Sequence, residues 1–258
     1  MHVIKGTSPL FQCFYLGKIK YLKALKLQET LVQWQTNHLN NCNPILLLLQ
    51  HYPVYTVGIR SSVYSKQEEN HLLSLGADFV RTKRGGLITF HGPGQLVAYP
   101  IFNLKIVDFG VRKYVETLEE VIINLSGRYG IQAERSPHTG VWVGNNKLCA
   151  MGINCQGRIT SHGLALNCNT DMKWFSHIVA CGIHGKGVTS FTEILQKPVT
   201  VKEVLPMFLD EFSRCFNCDM TPLRHLPEAF SLDDMYEEVS HNSPRSNLLS
   251  RQESYEDM

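Results

Sequence analysis

Residues Arg84 to Pro100 read Arg-Gly-Gly-Leu-Ile-Thr-Phe-His-Gly-Pro-Gly-Gln-Leu-Val-Ala-Tyr-Pro. Glycine loses more backbone entropy on folding than any other residue, so such clustering marks backbone that turns sharply or approaches a ligand closely. Gly85-Gly86 interrupts the chain before a short strand, Leu87-Ile88-Thr89-Phe90. His91-Gly92-Pro93-Gly94-Gln95 reads as a turn, and Leu96-Val97-Ala98-Tyr99 as a second strand that Pro100 closes. This arrangement brings the Arg84, Thr89, His91 and Gln95 side chains near one another. A plain β-hairpin with a glycine-rich turn accounts for the composition equally well. A nucleotide site has less support, because neither Gly-x-Gly-x-x-Gly at a strand-to-helix junction nor a P-loop is present.

Outward from this stretch, strands and helices interleave. On its N-terminal side, Phe11–Leu16 reads as a strand and Lys18–Thr36 as an amphipathic helix with apolar Tyr21, Leu22, Leu25, Leu31 and Val32 near helical spacing. Ile45–Gln50 reads as a buried strand, residues around Glu68–Leu75 as a short helix stopped by Gly76, and Phe79–Arg81 as a strand. On the C-terminal side, Ile101–Leu104 extends a strand, and Val111–Tyr129 is the strongest helix, with Gly130 as its stop. Ile131–Ala133 begins a strand. Gly140–Gly144 and Lys147–Ile153 form a hairpin around Asn145-Asn146, and Ser161–Asn167 is a further strand. Asp171–Ile178 is short and helical, Cys181–Gly187 an open glycine-rich loop, and Ser190–Leu195 and Thr200–Phe216 are helices. Thr200 and Glu203 have capping-box spacing. The pattern predicts an α+β domain over residues 1–220, with packed helices on a mostly antiparallel or mixed sheet. Residues 221–258 read as a flexible acidic tail.

Composition narrows the function classes. At 258 residues, with 43% hydrophobic and 19% charged residues, the chain can bury a sizeable core. No uncharged apolar run is long enough to span a membrane. The eight cysteines are scattered, unlike a disulfide framework, and imply a reducing compartment. The net charge of +2 divides into −6 from Glu228 onward and +8 before it. That basic part favours an acidic partner and is too sparse for nucleic acid. Before Glu29 there is no acidic residue, only Lys5, Lys18, Lys20, Lys23 and Lys26, a weak targeting-like trait.

A thiol nucleophile needs access to substrate and donors for the developing oxyanion. Cys149 and Cys168 belong to apolar strands, Cys13 and Cys42 lack chemical neighbours, and Cys155 stays open. Cys215 and Cys218 form a lone Cys-x-x-Cys, thin support for a zinc or redox site. Cys181 stands out because Gly182, Gly185 and Gly187 leave backbone N–H groups free to face a ligand. His91 reads as a brace for its turn, His162 as a structural histidine, and His184 lies close to Cys181 in sequence.

The string Arg84-Gly85-Gly86-x-x-Thr89-x-His91-Gly92-Pro93-Gly94-Gln95 resembles the signature of the octanoyltransferases of the lipoate-protein ligase B type. Further similar blocks are Gly140–Val143, Lys147–Gly152, Ser161–Asn167 and Cys181-Gly182, so the resemblance spans about residues 10–218. It implies the biotin/lipoate protein ligase fold and acyl transfer through a thioester on Cys181, assisted by Lys147. A lysine suits that role, since partial burial of an amine leaves more of it unprotonated and free to take a proton, while its cation stabilises a nearby thiolate. The resemblance places the acyl substrate against Arg84, Gly85, Gly86, Leu87, Ile88, Thr89, Phe90 and His91, then Ala150, Met151 and Gly152, then Gly163, Leu164 and Ala165. Bacterial members commonly carry Ser-Leu-Gly where Ala150-Met151-Gly152 stands here. The implied donor is octanoyl-acyl carrier protein. The implied acceptors are the lipoyl domains of 2-oxoacid dehydrogenase E2 subunits and the glycine cleavage H protein, with no cofactor or metal. Trp174-Phe175 and Val188-Thr189-Ser190 resemble animal members, which act in mitochondria. An eight-carbon tail gains roughly 5 kcal/mol on burial at about 0.8 kcal/mol per CH₂. Arg81, Lys83 and Arg84 would steer an acidic carrier. Two competing readings are an ATP-dependent lipoate ligase or amidotransferase on the same fold, and a non-catalytic carrier or metal-binding protein.

Overall fold

In the computed structural model, which describes residues 8–39, 42–60, 63–179, 182, 185–227, 231, 234 and 239, the chain opens with β1 (Leu10–Ile19). It continues through α1 (Tyr21–Asn37) into β2 (Ile45–His51), which lies parallel to β1. The run Ile45–Leu49 is apolar at every position because both faces of β2 are covered. Leu46 and Leu48 face one core, while Ile45, Leu47 and Leu49 face another against α1. Each fully buried leucine contributes about 1.5–3 kcal/mol.

The chain then leaves this sheet. β3 (Val54–Val57) follows Pro53 and pairs in parallel with β4 (Asp78–Arg81) and antiparallel with β5 (Thr89–His91), making a separate three-stranded sheet. Between β3 and β4 lies α2 (Lys66–Ser74), started by a Ser65/Glu68 capping box. β6 (Gln95–Ile101) returns to the large sheet between β2 and the strand β10 (Ile159–Asn167). The hairpin reading of Arg84–Pro100 is therefore overturned. β5 and β6 belong to different sheets, and Gly92-Pro93-Gly94 is the crossing between them. Nor does Pro100 close the strand; it pairs with Leu46 inside β6. The β6–β10 register ends at Ala98, and the Pro100 carbonyl accepts from the Thr160 hydroxyl at 2.9 Å instead.

α3 (Val111–Arg128) is followed by β7 (Glu134–Arg135), β8 (Val141–Val143) and β9 (Asn146–Gln156) before β10. The strand expected from Ile131 starts later. The Ile131 N–H donates to the Ser126 carbonyl and the Gly130 N–H to Gly127, a Schellman closure that uses Ile131 to end the helix. The β8–β9 turn is Gly144-Asn145, one residue earlier than expected, since Val143 pairs with Asn146. After β10 come a 3-10 helix (Met172–His177), β11 (Gly187–Val188), α4 (Phe191–Leu195), α5 (Val201–Phe216), β12 (Asp219–Met220) and β13 (Arg224–His225). The Thr200/Glu203 capping box forms as the spacing predicts. The large sheet runs β12-β1-β2-β6-β10-β9-β8-β7, with β11 on β9 and β13 on β1, so it is mixed. α3 and α5 cover one face and α1 packs on the other.

β13 continues the paired chain past residue 220, where the composition changes; Val239 is buried in the α1 core, and Leu226 packs against that core. Most of the expected acidic tail lies outside the described residues. Among those residues no helix is long and apolar enough to cross a membrane.

Candidate active site

A cavity of about 740 Å³ opens where the small sheet faces β6, β9 and β10. Arg84, Gly85, Gly86, Leu87, Thr89 and His91 line it from the small-sheet side. Lys147, Ala150, Met151 and Gly152 line it from β9, and Gly163, Leu164 and Ala165 from β10. Ile88 and Phe90 are not brought to it. Side chains alternate along an extended segment, so with Thr89 and His91 facing the cavity, Ile88 and Phe90 enter a separate core with Tyr55, Val57 and Phe175. Phe90 also stacks on Trp174 at 5.0 Å between centroids. Cys181 and His184 lie outside the described residues, but Gly182, the neighbour of Cys181 in the chain, lines the cavity.

Lys147 is the second residue of β9, just past the turn, and pairs across the hairpin with Trp142. Its Nζ donates to the Thr139 carbonyl at 3.0 Å and sits 4.8 Å from the Trp142 ring centroid. The Thr189 N–H donates to the Lys147 carbonyl at 3.0 Å, and β11 pairs with Asn146 and Lys147. The segment that follows Gly182 is thus fastened to the strand that carries Lys147. Arg84 is 7% exposed and fixed by the Thr56, Gly85 and Leu87 carbonyls at 2.7–2.9 Å.

A hydrogen-bond chain fixes the state of His91. Asn167 Nδ2 donates to the Thr189 carbonyl, Gln95 Nε2 donates to Asn167 Oδ1, and Gln95 Oε1 is left to accept from His91 Nδ1 at 2.8 Å. His91 Nδ1 therefore carries the proton. Burial, and after it the neighbouring His51 and Arg84, push the His91 pKa well below its ordinary value, so Nε2 is an unprotonated acceptor at neutral pH. His51 packs edge-on to His91 and is itself held to about 4 by burial. Its Nδ1 donates to the Ile19 carbonyl and its Nε2 accepts from the Tyr99 hydroxyl at 2.8 Å. His162 is also lowered to about 4, by burial first and Arg84 second.

Tyr21 and Tyr99 line the cavity and were not singled out from the sequence; nor was His51, behind His91. His51 had a signal: a histidine ending an apolar strand before proline. Arg81 is less available for steering than its sequence neighbours suggest, because it forms an ion pair with Glu69 at 3.0 Å. Cys13, Cys149 and Cys168 are buried; desolvation pushes the Cys13 and Cys168 thiols up to about 12 and raises that of Cys149 as well, as suits structural cysteines. Among the described residues no three His, Cys, Asp or Glu side chains are grouped to hold a metal ion.

The family described as the lipoyl protein ligase A/B catalytic domain matches residues 20–213, which include every cavity-lining element described above. The chain belongs to this family. Among lipoyl protein ligase A/B relatives, a Danio rerio protein named octanoyl-acyl-carrier-protein:protein N-octanoyltransferase, mitochondrial, is 53% identical, covering 83% of this chain and 96% of its own. The Homo sapiens protein of that name is 40% identical over the same shares. An octanoyltransferase of Thermoanaerobacter sp. is 44% identical, covering 78% and 88%. Among solved structures, lipoate-protein ligase A bound with ATP superimposes with a TM-score of 0.64 at 14% identity, covering 92% of this chain and 95% of that one. The P. falciparum protein LipL1 in complex with lipoate gives 0.66 at 13%, covering 89% and 68%. The lipoyl protein ligase A/B fold is thus the one observed, in line with the α+β expectation.

Proposed function

We propose that the chain is an octanoyltransferase that moves an octanoyl group from octanoyl-acyl carrier protein to the lysine amine of lipoyl domains, through a thioester on Cys181. One observation carries the reading: Lys147 and Gly182 converge on a single cavity whose other walls bring together the residues expected against the acyl chain, all but Ile88 and Phe90. In the first step the Cys181 thiolate attacks the donor thioester carbonyl and the carrier's thiol leaves with the proton taken from Cys181. In the second, the acceptor lysine amine attacks the enzyme thioester, an amide forms, and Cys181 is released as thiolate. Lys147 accepts the amine proton and its cation stabilises the thiolate between steps. No nucleotide is required, because the donor thioester is already activated.

The acceptors in this reading are the lipoyl domains of 2-oxoacid dehydrogenase E2 subunits and the glycine cleavage H protein. The enzyme works in the mitochondrion, as the word mitochondrial in the names of its animal relatives supports. Mixing enzyme with octanoyl-acyl carrier protein and no acceptor should build a hydroxylamine-sensitive adduct of one octanoyl group, read by intact mass spectrometry. Cys181→Ala should lose adduct and transfer together. Lys147→Ala should keep slow acylation, lose about 10²–10⁴-fold in transfer, and recover part of the acylation at higher pH. A full adduct on another residue of Cys181→Ala overturns the thioester. Transfer from free octanoate only when a nucleoside triphosphate is added favours the ligase instead.

A further inference from the structure

His162 is common to the linings of two cavities. One is the cavity described above. The other, about 660 Å³, lies beside α1 and the β9–β10 hairpin, with Leu25, Val32 and Ile159 among its walls. At this boundary His162 is 4% exposed and holds a left-handed backbone, φ 56°. That conformation is unfavourable for a residue bearing a Cβ and persists only where its surroundings over-determine it. Here they do: Gln28 Oε1 of α1 accepts the His162 N–H at 2.7 Å, the ring meets Tyr99 edge-on at 6.1 Å, and the residue pairs with Ile153.

The imidazole gains little polar satisfaction from this placement. Nδ1 is buried with no hydrogen-bond partner, and so is Nε2 of the Gln28 amide that clamps the backbone. Strained backbone, a buried unsatisfied nitrogen and a second unsatisfied group beside it make a poor structural element. What the arrangement achieves is to put one residue in the walls of two spaces. In a lining that is otherwise mostly polar, Leu25, Val32 and Ile159 are among the residues that offer apolar contacts to a chain that passed through.

We propose that His162 is a specificity-determining partition: its imidazole ends the acyl cavity, and so sets the chain length that the enzyme accepts. The proposal rests on the acyl-site reading of the first cavity. Glycine takes φ 56° freely, so His162→Gly removes the partition and relieves the backbone together. Asparagine also tolerates that conformation, so His162→Asn gives a shorter partition on a folded chain should the glycine variant fail to fold.

The experiment measures kcat/KM with acyl-carrier thioesters of eight, ten, twelve and fourteen carbons. One methylene that finds apolar room changes kcat/KM by about tenfold. The twelve-to-eight-carbon ratio should accordingly rise by about tenfold or more in His162→Gly, and by less in His162→Asn. Adding Val32→Trp to His162→Gly refills the space behind and should bring the ratio back. Ala150→Leu narrows the first cavity and serves as the control for the acyl site. An unchanged ratio in both His162 variants overturns the partition. If Ala150→Leu has meanwhile lowered eight-carbon transfer, the acyl-site reading stands; if it too changes nothing, that reading falls as well.

Discussion

His51, His91 and His162 form a group of imidazoles kept neutral by burial, with the Arg84 cation set close to two of them. Their pKa values lie below those of the unfolded chain, so between the two values the unfolded state binds more protons. Stability is fully present above about pH 6.5 and is lost as pH falls toward 4, by on the order of 3 kcal/mol at most for His51. Urea midpoints should therefore be flat above that point and fall on acidification, and His51→Gln should flatten the fall. A midpoint that rises on acidification contradicts the neutral assignment. This polar group was only partly legible in the sequence. His91 and His162 stood in recognisable strings, but no pattern announced that Tyr21, His51 and Tyr99, far apart in the chain, meet beside His91. Ile88 and Phe90 fail as cavity residues for a simpler reason, the alternation along an extended segment, which the sequence contained.

At the scale of the element, the crossing Gly92-Pro93-Gly94 makes two predictions separable. Gly94 has φ 80°, and a Cβ there would come within 2.2 Å of the Asn169 carbonyl oxygen. Gly76, the stop after α2, has φ 87° with nothing within 4 Å. Both alanine variants bear backbone strain of about 1–2 kcal/mol, but only Gly94→Ala must also move backbone. Chemical denaturation should show Gly94→Ala at least about 2 kcal/mol less stable than Gly76→Ala, and equal losses would show that the crossing yields freely. Helices were well legible because caps and periodicity are local: Val111–Arg128 and Val201–Phe216 emerge close to their expected bounds. The two-sheet division was not, since strand partners are set by contacts distant in sequence. A turn between two apolar runs looks the same whether the runs pair or part.

For the whole molecule, β12 and β13 both pair with β1, and Val239 fills a place in the α1 core. Ending the chain after Pro227 keeps both pairings and should leave specific transfer activity intact at a small loss of thermal stability. Ending it after Phe216 removes both and should give a chain that unfolds at clearly lower temperature or does not accumulate. Loss of most activity from the soluble longer truncation would assign the acidic segment a part in the reaction.

The break in the ladder between β5 and β6 has a consequence for how the molecule breathes. A wall that shares no ladder hydrogen bonds with its opposite wall opens as its own cooperative unit, below the free energy of global unfolding. The three-stranded sheet is tied to the rest by the Tyr52-Pro53 and Gly92–Gly94 crossings, and by a few hydrogen bonds outside any ladder: Gly85 N–H to the Ile153 carbonyl at 2.9 Å, His91 Nδ1 to Gln95 Oε1 at 2.8 Å, Gln95 Nε2 to the Phe90 carbonyl at 3.2 Å and the Tyr55 hydroxyl to the Trp174 carbonyl at 2.8 Å. On the proposed acyl-site reading, an acyl chain would enter by loosening this one side while the ten-stranded sheet keeps its register. Amide exchange should read this directly: Tyr55, Thr56 and Phe90 exchange faster than Leu47, Val97 and Leu166, and acylation slows the first set alone.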